Sequence, residues 1–335
     1  MYSALRESIP LIDAAIGKIV RLVGGFEVKC GDKTAERLLR EFLRTVPCGP
    51  VSCGIETFVG GTVDRMLTYG TAVNEMVMDS DGRLCALYSA ALNNVELRVG
   101  NNPLQPEILR GDGQRVSNPE RILISALSPE PDSVYGNSLL KGLPFVSGIL
   151  LKIYNSIGVN FERMGNLRFA VTYRPSANDT GLGENRADEI ASAWSDAMRD
   201  SETVRDFVAV GDVDIKVIGA DSHMPEIEVP VRTILEQIIA KTGLPPFLLG
   251  LCWSSTERMS SQQADILTSE LEYYRTLLTP MILKICRTYL RGEGFFCDVS
   301  IDWNNISLQD ETILAQAKLY NAQAEKILKE TGATE

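Results

Sequence analysis

The chain has 335 residues, 44% hydrophobic and 23% charged, enough to bury a substantial core and unlike the composition of disordered or collagen-like chains. Its net charge of −11 argues against a general DNA-coating surface, because such binding needs Lys and Arg to release counterions from phosphate. The seven cysteines (Cys30, Cys48, Cys53, Cys85, Cys252, Cys286 and Cys297) are scattered, odd in number and never in C-x-x-C spacing, which predicts reduced thiols in a cytoplasmic setting rather than a disulfide framework or a zinc knuckle.

The first residues carry acids inside an apolar pattern and lack the basic, apolar, small order of a signal peptide. Leu5, Ile9, Ile12, Ile16 and Ile19 repeat at three and four residues, predicting one amphipathic helix that Gly24 and Gly25 end. A second helix is predicted over 33–46, stopped by PCGP. A third carries Ile55, Val59, Val63 and Met66 on one face and ends near Tyr69 and Gly70. The period then changes to that of strands. TAVNEMVM and LCALYS flank DSDG, a hairpin signal, and VELRVG, PEILRG and RILISAL follow as short strands.

The most apolar window, 143–161, is interrupted by Lys152, Asn155 and Asn160 and has no dense basic flank. It therefore predicts a helix packed against several protein neighbours, with Ser147, Gly148, Ser156 and Gly158 allowing close approach, rather than a membrane span. NLRFAVTYRP reads as a strand, ENRADEIASAWSDAMRD as a helix and DFVAVGDVDIKVIG as a strand pair or bent strand. Residues 179–228 hold thirteen acidic and four basic residues, a balance of −9 out of the chain's −11. This is a solvated face, or one that repels nucleic acid or docks a basic partner. VRTILEQIIAKTG is a helix leading into LPPFLLG, where Pro245, Pro246 and Gly250 must stop and redirect the chain. After the polar stretch LCWSSTERMSSQQ, read as a loop, Leu267, Leu271, Tyr274, Leu278, Met281, Ile285 and Tyr289 keep one helical face. Pro280 lies inside that helix and predicts a kink. FFCDVSIDW is a strand, and a last helix begins at a capping-type Ser307-x-x-Asp310.

Chemistry is thinly provided. The single histidine, His223, lies in a polar loop, so sites built on several histidines are excluded. There is no P-loop and no complete dinucleotide-binding glycine pattern. Asp212 and Asp214 would share one face of a strand, as some metal-dependent nucleases require, which leaves a hydrolase using Asp212, Asp214 and Glu226 as one reading.

The order of PDSVYGNSLLKGLPFV, the long apolar helix, NLRFAVTYRP, the acidic insertion, ILEQIIAKTGLPPFLLG, a polar loop and a helix ending LTPMILKICRTYL resembles the portal proteins of tailed bacteriophages. MLTYGTAVNEMVMDSDGRL is similar to that family's wing, where a glycine after an aromatic residue precedes a hairpin. The resemblance implies an α+β, elongated, portal-type subunit. Its parts are a wing of helices and a small, mainly antiparallel sheet (1–136), a first stem helix (137–166), an acidic α/β clip (167–226), a second stem helix (227–249), a tunnel loop (250–262), a long kinked wing helix (263–294) and a short crown (295–335). It also implies a dodecameric ring at one capsid vertex, the conduit for packaging and ejecting double-stranded DNA without sequence readout. The expected site is the virion, after assembly in the host cytoplasm, and the expected partners are the terminase large subunit, then a head-tail adaptor, with major capsid and scaffold proteins. No membrane, cofactor, metal or catalysis is expected. Trp253, Ser254, Ser255, Thr256, Glu257 and Arg258 become the DNA-facing loop. Phe145, Ile149, Ile153, Ile157 and Phe161 become ring-packing stem residues, and Asp188, Glu189, Asp196, Asp212 and Asp214 a docking face on the clip. A virion scaffold component that forms no ring is the remaining alternative.

Overall fold

The computed structural model describes residues 1–100, 102, 104–165, 168–173, 188–189, 191–192, 195, 213–218, 227–251 and 257–306. The chain divides into two compact units, one made of 1–148 with 233–335 and the other of 149–232. The architecture is α+β, with helices and several small antiparallel sheets.

The N-terminal amphipathic pattern makes two helices rather than one: α1 (Tyr2–Ser8) and α2 (Pro10–Val23). Ile9 sits between them in an extended conformation, with φ −126° and ψ 94°, because a following proline disfavours the α region at the residue before it. Pro10 then occupies the first turn of α2, where its missing N–H costs nothing. The apolar stripe survives the break, and Ile9, Ile12, Ile16 and Ile19 are all buried.

Strand β1 (Phe26–Cys30), absent from the sequence-based expectation, pairs antiparallel with β9 (Val299–Trp303) near the far end of the chain. The strand expected to belong to a separate crown is thus bonded into the unit that contains the N-terminus. α3 (Lys33–Thr45) is capped by the Asp32 carboxylate, which accepts from the Thr34 and Ala35 amides, and α4 (Ile55–Tyr69) buries Phe58, Val59, Val63, Met66 and Leu67. β2 (Thr71–Met78), β3 (Leu84–Ala90) and β6 (Ile122–Ala126) form a three-stranded sheet in the order β3-β2-β6. β4 (Val95–Val99) and β5 (Pro106–Arg110) pair separately.

Two glycines fix how the chain leaves this sheet. Gly70 caps α4 in the left-handed region (φ 85°), and its carbonyl accepts from the Leu127 amide at 2.8 Å. Gly136 crosses directly over it. A Cβ on Gly136 would lie 2.2 Å from the Gly70 oxygen and 2.5 Å from the Leu127 nitrogen, and one on Gly70 would lie 2.2 Å from the Gly136 oxygen. The crossing is locked by hydrogen bonds from the Gly136 amide to Thr71 Oγ1 (2.9 Å), the Ser138 hydroxyl to the Thr68 carbonyl (2.7 Å) and the Leu139 amide to the Leu67 carbonyl (2.9 Å). Residues 137–142, expected to be the first turns of the long apolar helix, are consumed by this crossing. Helix α5 runs only from Leu143 to Gly165.

In the second unit β7 (Arg168–Tyr173) and β8 (Val213–Ile218) pair antiparallel. α6 (Glu228–Thr242) buries Ile234, Ile238 and Ile239. The long helix α7 (Glu257–Gly292) packs against α2, α3, β3, β6 and β9. Leu267, Leu271, Tyr274, Leu278, Met281 and Ile285 are buried as the periodicity requires, and Tyr289 stacks on Phe42 with ring centroids 3.9 Å apart. α7 starts earlier than expected, since 257–262, read as loop, are its first turns. The helix predicted after Ser307 lies outside the described residues.

A buried cation ties α7 to both ends of the chain. Arg275, 7% exposed, donates from Nε to the Val23 carbonyl at 2.8 Å, at the C-terminus of α2, where a positive charge complements the helix dipole. Its guanidinium lies 5.1 Å from the Trp303 ring centroid, close enough for a cation–π contact. Trp303 in turn donates from Nε1 to Thr279 Oγ1 at 3.1 Å.

This packing has consequences that three measurements check. Gly136→Ala should lower the unfolding free energy by ~3 kcal/mol or more, because backbone rather than a flexible side chain must give way. Gly82→Ala, also at positive φ but with open space around it, should cost only ~1 kcal/mol; urea titration of the two variants measures the difference. Burial raises the Cys286 thiol from its ordinary 9.0 to about 12. The native state therefore favours the neutral thiol, and Cys286 should subtract stability as pH rises from 9 towards 12 and have no effect below that range. Alkylation of the native protein at pH 8, read by mass spectrometry, should label the exposed Cys53 and Cys85 and spare Cys286.

Candidate functional site

No constellation of reacting groups draws the eye in the described residues, and none of them forms a cluster of three or more His, Cys, Asp or Glu placed to hold a metal. What stands out is an apolar surface. α5 exposes Phe145, Ile149, Leu151, Tyr154, Val159 and Phe161, with Phe145 77% and Phe161 59% open to solvent. At 3.6 residues per turn, Tyr154 and Phe161 lie about 180° and about 160° around the helix from Phe145. The exposed apolar groups therefore do not form one stripe. A helix apolar around most of its circumference is stable in water when neighbours surround it.

The small residues of α5 point the same way. A Cβ on Gly148 or Gly158 would meet nothing within 4 Å, so no described part of the chain requires glycine there. Each leaves a notch in which another surface can approach the helix backbone. Of the residues expected to pack the ring, Phe145, Ile149 and Phe161 are exposed and Ile153 and Ile157 are half-buried. No helix among the described residues is long and apolar enough to cross a membrane.

The break after α6 is a built turn. Gly243 (φ 70°) ends the helix, its amide bonding the Ile239 carbonyl at 3.0 Å, the bond of a left-handed C-cap. Leu244 and Pro245 are buried. Pro246–Leu249 then forms one 3-10 turn, closed by left-handed Gly250 (φ 77°) and packed against α2. The two prolines set the entry to that turn and the glycine permits the exit. Trp253, Ser254, Ser255 and Thr256 lie outside the described residues. Glu257 and Arg258, expected in the same loop, instead open α7.

Pro280 is exposed within α7, which runs unbroken from Glu257 to Gly292 around it. Its missing N–H removes the usual bond to the carbonyl four residues earlier. One residue before it, the Thr279 hydroxyl bonds back to the Arg275 carbonyl at 2.8 Å while also accepting from Trp303. On the acidic insertion, Asp188 and Glu189 are helical and exposed, and Asp214 is a half-buried residue of β8 opposite Thr172. Asp196, Asp212, His223 and Glu226 lie outside the described residues, so the proposed carboxylate pair is represented by Asp214 alone.

Sequence reasoning missed one charged feature. Lys284, Arg287 and Arg291 on α7 share a hollow with Arg121, from the turn before β6, over Met76, Met78 and Pro280. The absence of any acid from 281–292 was a legible signal; the arrival of Arg121 was not.

No family model matches the chain, and no curated protein matches it. Among solved structures, it is similar to a chain of the virion of a native gene transfer agent particle, with 14% identity, a TM-score of 0.64 and coverage of 99% of this chain and 89% of that one. It is also similar to a chain of the neck of a native gene transfer agent particle computed with C12 symmetry, at 14% identity and TM-score 0.61, with the same coverage. An HK97-family phage portal protein from Corynebacterium diphtheriae matches at 13% identity and TM-score 0.51, over 90% of this chain and 94% of that one. At these identities the likeness concerns the backbone, and its conclusion is that this chain has the α+β fold of a phage portal protein.

Proposed function

We propose that this chain is a portal subunit, twelve copies of which close into a ring at one vertex of a capsid. The observation that carries the reading is α5, with apolar side chains open around its circumference and glycine notches that nothing in the described chain fills. A ring supplies neighbours on both sides of every subunit and buries such a helix. The C12 symmetry used for a neck containing a similar chain supports twelve as the number.

In this reading the ring is a conduit for double-stranded DNA during packaging and ejection. α5 and α6 form the stem. Residues 252–256 follow a rigid, glycine-ended turn and face the channel, with Trp253 through Thr256 and then Glu257 and Arg258 nearest the duplex. A ring multiplies the −9 balance of 179–228, so that the insertion repels DNA from its wall. Its outer face, carrying Asp188 and Glu189, docks first a terminase large subunit and then a head-tail adaptor. Major capsid and scaffold proteins meet the ring during assembly in the host cytoplasm. The reading assigns no catalysis to the chain, and no observation favours a metal-dependent hydrolase built on Asp212, Asp214 and Glu226. A scaffold component that forms no ring would share the long helices but leave the exposure of α5 without a purpose.

The test separates assembly from folding. Phe145→Ser combined with Phe161→Ser alters two exposed side chains, so subunit stability should change by about 0.5 kcal/mol or less. Sedimentation velocity should nevertheless show the ring replaced by monomer at the same protein concentration. Undiminished assembly of the double variant would remove α5 from the ring contact and with it the reading's main support.

A further inference from the structure

We propose that the hollow between the second half of α7 and the β2–β6 side of the sheet binds the phosphate backbone of nucleic acid. It measures about 440 Å³, with Met76, Met78 and Pro280 among its lining residues. Four cations surround it: Lys284, Arg287 and Arg291 from α7 and Arg121 from across the hollow. This local reversal of sign occurs in a chain whose net charge is −11.

Ordinary structural duties account for part of the set. Lys284 donates to the Ile122 carbonyl at 3.2 Å, and Arg291 complements the C-terminal end of the helix dipole. Arg121 approaches its neighbour Glu120 at 3.9 Å, the one carboxylate among the described residues lining the hollow. Arg287 has no such duty. It is exposed, and no carboxylate pairs with it among the described residues. Like charges gathered around a shared hollow repel one another, and an anion resting among them relieves that repulsion.

The spacing selects a polyanion over a single small ion. Lys284 to Arg291 is seven residues, about 10 Å along the helix at its ordinary rise, too far apart for one small ion to meet both ends but a span over which a strand carries more than one phosphate. Guanidinium groups suit phosphate oxygens because they present paired donors. Met76, Met78 and Pro280 add no hydrogen-bonding group for a base edge, and cations that meet phosphate oxygens carry no sequence information, so the proposed binding is independent of sequence. The inference goes beyond the conduit reading: it concerns other residues than 252–256 and holds whether or not the subunits close a ring.

The test measures binding of a short fluorescein-labelled DNA duplex to the full chain by anisotropy across a salt series. The expected result is salt-dependent binding that Arg287→Glu with Arg291→Glu weakens at least about tenfold, lowering the slope of log affinity against log salt by about 2. Arg287→Lys with Arg291→Lys should retain most of it. Circular dichroism and the sedimentation mass of each variant separate loss of the site from loss of fold or assembly. If the charge-reversed protein fails to fold, Arg287→Gln takes its place, with about threefold weakening expected. Equal binding by wild type and folded variants would overturn the proposal, as would a wild type that binds no duplex. Poly-glutamate is the competing probe: if the wild type binds it in preference to duplex and charge reversal abolishes that binding, the hollow is an acidic-peptide site and the proposal falls.

Discussion

Much of the structure depends on a single backbone crossing. Where Gly136 passes over Gly70 there is no room for a Cβ on either residue. That contact decides where the chain leaves the small sheet and begins α5. The surrounding hydrogen bonds pair residues 67–71 with 127–139, so the end of α4 and the approach to α5 form one rigid piece. Arg275 does comparable work elsewhere, holding α7 to the C-terminus of α2 and, through Trp303, to the β1–β9 pair. The first device is backbone on backbone and the second a buried guanidinium on a helix-end carbonyl, and close packing leaves the geometry of either little variation.

On this frame the chain presents surfaces that a lone subunit would not need. A helix with phenylalanines on nearly opposite sides and glycines facing open space is poorly suited to solitary life in water. The same helix becomes ordinary once other copies surround it, because assembly then supplies the apolar burial that the isolated fold lacks. The acidic insertion has a complementary logic. A charge density that is merely solubilising on one subunit becomes a strong field when repeated around an axis. The portal fold thus joins two properties that look unrelated in the sequence, an over-apolar helix and an over-acidic segment.

Much of the fold was legible because its signals are local and periodic. The 3.6-residue stripe of α7 and the hairpin at Asp81 and Gly82 declare themselves within a few turns of chain. The errors have equally definite causes. The N-terminal stripe continued across Ile9 and Pro10, so its period concealed a break that the proline imposed. FEVKC gives no strand signal of its own, because β1 is a five-residue strand whose partner lies about 270 residues away and nothing local marks such a pairing. The first residues of α7 are polar, and polarity without an apolar stripe does not distinguish an exposed helical turn from a loop. Residues 138–141 carry helix-compatible side chains, and the tertiary crossing at Gly136 together with the left-handed backbone of Gly142 (φ 92°) keeps them from joining α5. Of the candidate surfaces, the apolar excess of α5 was plain in the sequence, while the basic hollow required Arg121 to arrive from the turn before β6, far along the chain from α7.

The central claim is that copies of this chain close into a ring. Negative-stain electron microscopy of the purified full chain, with light-scattering mass on the same sample, tests it most directly. The account predicts annular particles with a central opening and a mass near twelve subunits, or about 440 kDa from a chain of 36.8 kDa. A chain that stays monomeric across salt and concentration, and remains so when co-expressed with its capsid and scaffold proteins, would contradict it.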